Sequence, residues 1–247
     1  MLEIIGLSAA YGKRQVLFDI NSSIERGKFT AIIGRNGSGK STFLSCLASS
    51  IRYSGKILLD GRAISELKKR DLAKKISYLP QNLPSTHFTV RESAAFGREP
   101  YTDFSGKLTD EDKKAVTDAL ERCGISHLSK KNMNEISGCE RQMAYLAMIL
   151  AQDDDIMLLD EPTTYMDAPN AREFMKILTE ERNRGKSVAA VMHDLGQAVR
   201  HADNVILIDS GKIVFAGSVE EAISSKVIEK IMGVEAHRLN DGSVVFV

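Results

Sequence analysis

The fold of this chain follows from one stretch of its sequence, Gly34-Arg35-Asn36-Gly37-Ser38-Gly39-Lys40-Ser41-Thr42. All of it except Thr42 matches G-x-x-x-x-G-K-[ST], the pattern of a phosphate-binding loop (P-loop). The glycines allow positive φ angles, so that backbone N–H groups can approach phosphate oxygens closely. An apolar run, Phe29–Ile33, precedes the loop, and a helix-like segment, 40–48, follows it. This order of strand, glycine-rich turn and helix favours phosphate binding, because the helix N-terminus faces the anion.

Three side chains of the loop have predicted roles in holding a nucleotide. Lys40 brings a positive charge to the β- and γ-phosphates. The Ser41 hydroxyl is expected to bind a magnesium ion that bridges phosphate oxygens, and Thr42 adds a donor beside it. The sequence therefore predicts that residues 34–42 bind ATP together with Mg²⁺.

Strand-like and helix-like stretches alternate on both sides of this loop. The stretches 2–7 and 16–24 are predicted strands, and 56–59 is a short strand after the first helix. The residues from 83 to 151 read mainly as helix, with polar breaks near 101–105 and 130–134. We interpret 83–151 as an insertion into the strand-rich part of the chain.

Beyond the insertion, the pattern returns to short apolar runs. The runs 156–159 and 188–192 flank a helical stretch, 168–184, which is the alternation of βαβ units and places the fold in the α/β class. A hairpin pattern follows over 205–215, and Ser218 is a plausible N-cap for a helix predicted over 219–231. We expect one domain, in which 1–82 and 152–247 form a core lobe and 83–151 a helical lobe.

Composition and charge exclude several classes of protein. Lys plus Arg and Asp plus Glu each total 33, so that net charge attracts neither nucleic acid nor anionic lipid. The N-terminus lacks the basic start and apolar stretch of a signal peptide, and the apolar run 143–151 is too short to cross a bilayer. The cysteines are odd in number and lack C-x-x-C spacing, which argues against disulfides and zinc: Cys46, Cys123 and Cys139.

An acid pair and a histidine follow two of the predicted strands. Asp160 and Glu161 end the run 156–159, and His193 ends the run 188–192. Open α/β sheets bind ligands at this end of their strands. Beside a P-loop, Asp160 is predicted to hold the magnesium shell and Glu161 to orient or deprotonate the attacking water, with His193 near the γ-phosphate. Acid pairs are also common as solvated turns, and the P-loop decides between these interpretations.

A second anion-binding feature is predicted upstream, in Ile136-Ser137-Gly138-Cys139-Glu140-Arg141-Gln142. Ser137 and Glu140 have the S-x-x-E spacing of a capping box, which predicts a helix start with free N–H groups. Taken alone, this spacing indicates an ordinary helix cap.

Together these motifs resemble those of ATP-binding cassette (ABC) proteins, over nearly the whole chain. The stretch 136–142 is similar to their signature motif L-S-G-G-[QE]-x-Q. The resemblance implies a P-loop NTPase core with an antiparallel β subdomain and an inserted α-helical subdomain. It also implies that Tyr11 stacks on adenine, that Gln81 joins the lobes and contacts the metal, and that Asp167 closes the loop after the catalytic glutamate.

The family resemblance implies partners as well as a fold. Two cassettes would pack head to tail, so that the signature residues of one chain meet the ATP bound by Lys40 of the other: Ser137, Gly138, Cys139 and Glu140. Gln81 would relay hydrolysis to separate membrane permease subunits, and a solute-binding protein would act indirectly. The chain would then lie at the cytoplasmic face of the membrane, with no nucleic-acid partner.

Two positions depart from the family pattern. Cys139 stands where a second glycine is usual, and Met143 where a basic residue is common. A Cβ and a sulfur at the helix N-terminus would crowd the approach of backbone to phosphate. We expect ATP turnover to be slowed but not abolished.

The stretch that follows Gln81 resembles one branch of importers. Phe88-Thr89-Val90-Arg91-Glu92 and Phe96-Gly97-Arg98-Glu99-Pro100-Tyr101 are similar to the T-V-R-E…G-R-x-P of ferric siderophore, haem and cobalamin importers, as is Thr163-Thr164-Tyr165-Met166-Asp167. The resemblance implies an ATPase that energises iron-chelate uptake. Uptake of another solute, export of a solute, and an ATP-dependent clamp with little turnover remain as alternatives. The sequence assigns no role to 235–247.

Overall fold

The computed structural model describes residues 1–82, 86–103, 106–164, 166–239, 242 and 244–247. Its strands are β1 Leu2–Tyr11, β2 Arg14–Ile24, β3 Phe29–Ile33, β4 Ser54–Leu59, β5 Arg62–Ala63, β6 Ile76–Leu79, β7 Ile156–Asp160, β8 Ser187–Val191, β9 Asn204–Asp209, β10 Lys212–Ser218, β11 Ala236–Arg238 and β12 Val244–Phe246. Its α-helices are α1 Lys40–Leu47, α2 Lys69–Ala73, α3 Val90–Ala95, α4 Asp110–Arg122, α5 Gly138–Gln152, α6 Ala168–Asn183, α7 Leu195–His201, α8 Val219–Ser224 and α9 Val227–Met232. Short 3₁₀ helices cover Ile64–Glu66, Phe96–Tyr101 and Ser126–Leu128.

The larger sheet has the strand order β10-β9-β3-β8-β7-β6. The pairs from β9 through β6 are parallel, and β10 joins the edge antiparallel to β9. All residues of β3, β7 and β8 are buried, because both faces of these central strands are covered. Phe29 and Ala31 of β3 pack into one core, and Ile32 packs into the other. The predicted α/β class is confirmed.

The smaller sheet covers one face of the larger one. It is antiparallel, with the order β2-β1-β4-β5. Its apolar residues, such as Leu2, Leu7 and Ile20, share a core with α1 and the underside of β3 and β8. This sheet is the antiparallel β subdomain that the family resemblance implies.

Helices cover the opposite face and extend away from it. The second core runs continuously from β3, β7 and β8 into α3, α4 and α5. The start of α3 at Val90, later than the predicted 83, follows from a capping box between Thr89 and Glu92. Residues 83–85 of the predicted insertion, and 104–105 of its first polar break, lie outside the described residues. Among the described residues, no helix is long and apolar enough to cross a bilayer.

The predicted helix over 219–231 is wrong in one respect, because it is interrupted. It forms α8 and α9, separated by Lys226, which has a φ of 55°. At the end of α8 the Glu221 carbonyl accepts from the Ser225 N–H group over 3.0 Å and from the Ser225 hydroxyl over 2.6 Å. The predicted N-cap at Ser218 is confirmed by its capping box with Glu221.

The C-terminal residues form a small hairpin. Strands β11 and β12 pair antiparallel, and Phe246 packs against the core that includes Ala198 of α7. The segment that the sequence left without a role therefore packs on the core.

Candidate functional site

The P-loop connects β3 to α1, as its sequence predicts. Gly34, Gly37 and Gly39 have φ angles of 149°, 76° and 105°, which side chains other than glycine rarely adopt. Space is limited as well, because a Cβ on Gly39 would lie 2.7 Å from the Leu17 Cδ2 atom. The Ser38 hydroxyl is buried without a hydrogen-bond partner among the described residues. The loop therefore has a backbone shape that favours glycine at three positions, and it contains one buried hydroxyl group, that of Ser38, for which the described residues supply no partner.

Lys40 lies at the base of this loop and is only 5% exposed. Its Nζ atom donates to the carbonyl oxygens of Gly34 over 2.9 Å and Arg35 over 3.0 Å. Burial lowers the pKa of Lys40, while the negative charges of Glu161 and Asp160 act in the opposite direction. The ammonium group is therefore held by weak carbonyl partners in a place where a phosphate would be a stronger one.

Asp160 and Ser41 meet beneath the loop. The Ser41 hydroxyl donates to the Asp160 Oδ1 atom over 3.0 Å. Asp160 is 3% exposed, and its burial raises the pKa of the carboxyl group. A hydroxyl and a carboxylate side by side supply the oxygen ligands that Mg²⁺ prefers.

Glu161 is contacted from two neighbouring strand ends. The Gln81 Nε2 atom donates to its Oε2 atom over 2.6 Å, and the His193 Nε2 atom lies 2.5 Å from its Oε1 atom. The backbone of Glu161 has a φ of 52°, which turns the chain sharply at the end of β7. Thr164 also donates to Oε2, over 3.3 Å. The carboxylate is thus fixed between residues that the sequence had predicted separately.

A cavity of about 520 Å³ opens between these groups. This volume lies within the usual range for a small-molecule site. Its lining joins the P-loop to the three strand ends: Val16, Asn36, Gly37, Gly39, Lys40, Ser41, Thr42, Gln81, Glu161 and His193. Val16 of β2 belongs to no motif, and sequence reasoning missed it.

The signature residues lie elsewhere. Ser137 is the N-cap of α5, and its capping box with Glu140 confirms the predicted helix start. Ser137 and Gly138 are exposed, and a Cβ on Gly138 would meet no atom within 4 Å. Cys139 is half-buried. None of these residues is among the described lining of the cavity in their own chain.

Other predicted site residues also lie outside the described lining. Tyr11 is 55% exposed at the end of β1. Arg35 is exposed on the P-loop. Asp167 caps α6 by accepting a hydrogen bond of 3.0 Å from the Asn170 amide. Tyr165, from the importer-like loop, lies outside the described residues.

The fold and this site together define the class. Strands β3, β6, β7 and β8 are parallel, so their carboxyl ends bring the P-loop, Gln81, Glu161 and His193 to one edge of the sheet. A phosphate loop beside an acid pair on such a sheet is the arrangement of a P-loop NTPase.

Comparison with known proteins identifies the family. Residues 17–164 match the model of the ABC transporter family. The chain is 40% identical over 238 residues to the ferric enterobactin transport ATP-binding protein FepC of Escherichia coli K12, covering 95% of this chain and 88% of the relative. It is 34% identical, with the same coverage, to the iron(3+)-hydroxamate import ATP-binding protein FhuC of Bacillus subtilis 168. The chain belongs to the ABC transporter family and is an ATPase of the cassette type.

Solved structures agree with this assignment. The dimeric ABC transporter cassette MJ0796 has a TM-score of 0.79 and 25% identity, covering 89% of this chain and 99% of that one. The same cassette in a post-hydrolysis state bound to ADP and Pi has a TM-score of 0.77.

Proposed function

We propose that this chain is the ATP-binding and ATP-hydrolysing subunit of an importer for a ferric siderophore-type chelate, working with separate membrane permease subunits. The observation that carries the proposal is the position of Glu161, which Gln81 and His193 hold from two sides at the mouth of the P-loop cavity. A carboxylate so placed can orient or deprotonate a water molecule at the γ-phosphorus.

The other residues of the cavity take supporting roles. Lys40 neutralises phosphate charge, and the backbone N–H groups between Gly34 and Thr42 cradle the phosphate oxygens. Ser41 and Asp160 fit a magnesium ion, because their oxygens lie 3.0 Å apart and Asp160 is otherwise a buried acid. The amide oxygen of Gln81 would be a further ligand. Bound there, the ion would neutralise negative charge on the phosphates.

The completed site contains residues from two copies of the chain. The exposed cap of α5, at Ser137 and Gly138, is not part of the described lining of its own cavity, and a helix N-terminus offers free backbone N–H groups. The open space at Gly138 leaves room for the phosphates held by a second cassette. Head-to-tail packing of two chains would bring Ser137, Gly138, Cys139 and Glu140 to the partner's ATP, with Asp167 and Tyr11 at its edges.

The cargo is inferred from relatives. Two relatives with at least a third of their residues identical are named for different ferric chelates, enterobactin and hydroxamates. We therefore propose the class of ferric chelates and not a single compound. Cobalamin or haem uptake, and a clamp with little turnover, are the alternatives that experiment has to separate.

We also propose the division of the chain into lobes. The core lobe comprises 1–82 and 152–247, and the helical signature lobe comprises 83–151. The continuous apolar core that joins α5 to β7 supports a lobe that moves with the sheet as one domain. At the cytoplasmic face of the membrane, permease subunits would dock on this chain near Gln81, the residue between the two lobes.

The test of this proposal compares Glu161→Gln with the wild-type chain and with Glu173→Gln. Glu173 is an exposed acid on α6 that pairs with Lys176, so its substitution controls for the loss of a carboxylate. We expect Glu161→Gln to bind ATP with wild-type affinity and to lose ATPase activity by a factor of about 100 or more. A wild-type chain without ATPase activity in the presence of its permease would instead support the clamp.

Uptake assays then identify the cargo. Cells that lack their own chelate-import ATPase would receive this chain with its permease, and uptake of ⁵⁵Fe-enterobactin, a ⁵⁵Fe-hydroxamate and labelled cobalamin would be compared. Iron uptake that requires Glu161 supports the proposal. Uptake of cobalamin alone would contradict it.

A further inference from the structure

We propose that Gly211, in the turn between β9 and β10, is a positioning residue for ATP binding, because its backbone holds the P-loop against strand β2. The inference rests on the proposed ATP site but concerns a turn far from the P-loop in sequence. The sequence pattern indicated only a hairpin there.

Two backbone hydrogen bonds connect Gly211 to the P-loop and to β2, the two segments that contribute Gly39 and Val16 to the cavity lining. Its N–H group donates to the Ser38 carbonyl oxygen over 3.0 Å, and its own carbonyl accepts from the Phe18 N–H group over 2.9 Å. Ser38 belongs to the P-loop, and Phe18 belongs to β2. The turn therefore adds hydrogen bonds between two segments that also approach each other directly, because Leu17 and Val16 of β2 lie beside Gly39.

The same turn approaches the P-loop at a second point. The carbonyl oxygen of Ile208, near the end of β9, lies where a Cβ on Gly34 would be, at 2.0 Å from that position. The β9–β10 hairpin thus contacts the P-loop at its start, Gly34, and near its middle, Ser38. Because β9 is also paired with β3, the loop is supported by the strand beside its own.

Only glycine fits at position 211. Its φ is 77°, and an added Cβ would lie 2.1 Å from the Val16 carbonyl oxygen and 2.8 Å from the Phe18 Cδ2 atom. Val16 lines the cavity, so pushing the turn away from β2 would displace this wall as well as the Ser38 contact. A preformed loop reduces the ordering cost of binding a nucleotide.

A second hairpin supplies a matched control. In the β4–β5 turn, Asp60 and Gly61 have φ angles of 49° and 82°, close to the 48° and 77° of Ser210 and Gly211. A Cβ on Gly61 would meet no atom within 4 Å. Gly61→Ala therefore introduces the same backbone strain as Gly211→Ala without the collision and without touching the P-loop.

The experiment measures the dissociation constant for the fluorescent nucleotide mant-ATP with Mg²⁺, and the KM and kcat for ATP hydrolysis, on wild type and both variants. We expect Gly211→Ala to weaken mant-ATP binding and raise KM by about tenfold, the scale of one lost hydrogen bond in an ordered loop, while kcat changes little. Gly61→Ala should bind as wild type does. Equal affinities for the two variants, or a lower kcat at unchanged KM, would overturn the inference.

A measurement on the unsubstituted protein keeps the inference testable if Gly211→Ala does not fold. Hydrogen exchange would be followed in peptides covering 205–216 and, for comparison, the β4–β5 turn. We expect Mg-ATP to slow exchange at the β9–β10 turn and leave the β4–β5 turn unchanged. No change at the β9–β10 turn would contradict a positioning role, whereas a wild-type chain that fails to bind mant-ATP would contradict the proposed ATP site itself.

Discussion

The side chain of Gln81 donates a hydrogen bond of 2.6 Å to the carboxylate of Glu161. Gln81 follows β6 at the edge of the parallel sheet, and Glu161 follows the neighbouring strand β7. Beyond Gln81 the chain enters the helical segment, so this single bond connects the start of that segment to the proposed catalytic base. A displacement of the segment after β6 would therefore lengthen or break this hydrogen bond and change the position of the Glu161 carboxylate.

Substitution of Gln81 tests this connection. We expect Gln81→Ala to lower kcat by about tenfold, because Glu161 keeps its His193 contact but loses one of its two main partners. The loss should be smaller than that of Glu161→Gln. Asn82→Ala, at the exposed neighbouring amide, serves as the control in the same ATPase assay. A kcat for Gln81→Ala equal to that of the control would show that the bond does not position Glu161.

A buried ion pair stabilises the helical segment. Arg98 donates to Asp112 over 2.8 Å and to the Ala151 carbonyl over 2.9 Å, and both charged side chains are almost fully buried. Arg98→Ala leaves the Asp112 carboxylate buried without its partner, so we expect a loss of about 3–5 kcal/mol in the free energy of unfolding in urea.

The control for this prediction is Lys113→Ala. Lys113 pairs with Asp110 on the same helix, but both side chains are exposed, and its removal should leave the unfolding curve nearly unchanged. If Arg98→Ala were no more destabilising than this control, the buried pair would contribute little to the fold.

Asp154 makes stability depend on pH. It lies just before β7, and burial raises the pKa of its carboxyl group to about 7. Between the unfolded pKa and this value the folded chain holds the extra proton, so stability falls as pH rises through that range. Asp154→Asn cannot ionise at this position. We therefore expect the difference in free energy of unfolding, Asp154→Asn minus wild type, to grow by about 2 kcal/mol from pH 5 to pH 8, measured by urea unfolding.

Asp155 provides a control, because it has the same carboxyl group as Asp154 but is not buried. Asp155 is exposed and pairs with Lys75, so Asp155→Asn should not reproduce the pH trend. A constant difference between wild type and Asp154→Asn from pH 5 to pH 8 would mean that Asp154 titrates normally.

The departure from the signature motif is tested by paired substitutions at the start of α5. If the Cys139 side chain crowds the partner's phosphates, Cys139→Gly should raise the ATPase rate severalfold, and an unchanged rate would make Cys139 neutral. Gly138→Ala meets no atom of its own chain within 4 Å and should leave thermal stability intact. We expect Gly138→Ala to lower the rate by about tenfold or more, because its Cβ would face the partner's ATP.

Local motifs allowed much of the site to be predicted from sequence. The P-loop and the acid pair follow apolar runs, and the strand predicted at Phe29–Ile33 has the bounds that the structure shows. The structure confirms where these elements lie, because side-chain types at fixed spacing determine the turn, while the chemistry assigned to the residues stays a prediction. The capping box at Ser137 succeeds for the same reason.

Features that depend on backbone contacts between distant segments could not be predicted. The bond between Gly211 and Ser38 involves only main-chain atoms and leaves no pattern in side-chain types. Arg98 appeared as part of an importer-like motif, and only the structure shows that it is buried against Asp112. The break between α8 and α9 lies at Lys226, whose positive φ angle lysine rarely adopts and side-chain types do not predict.

The position of β3 in its sheet has a consequence for synthesis of the chain. Both of its neighbours, β8 and β9, lie far towards the C-terminus, so Phe29–Ile33 leaves the ribosome long before a sheet exists to receive it. This strand of four apolar residues and one threonine then has no strand partner for some time, because the chain is made from its N-terminus. The P-loop at the end of this strand acquires its supports only when Asn204–Asp209 and the following turn have been translated. A nascent chain stalled before that point should be unable to retain ATP, although it already contains the complete loop sequence.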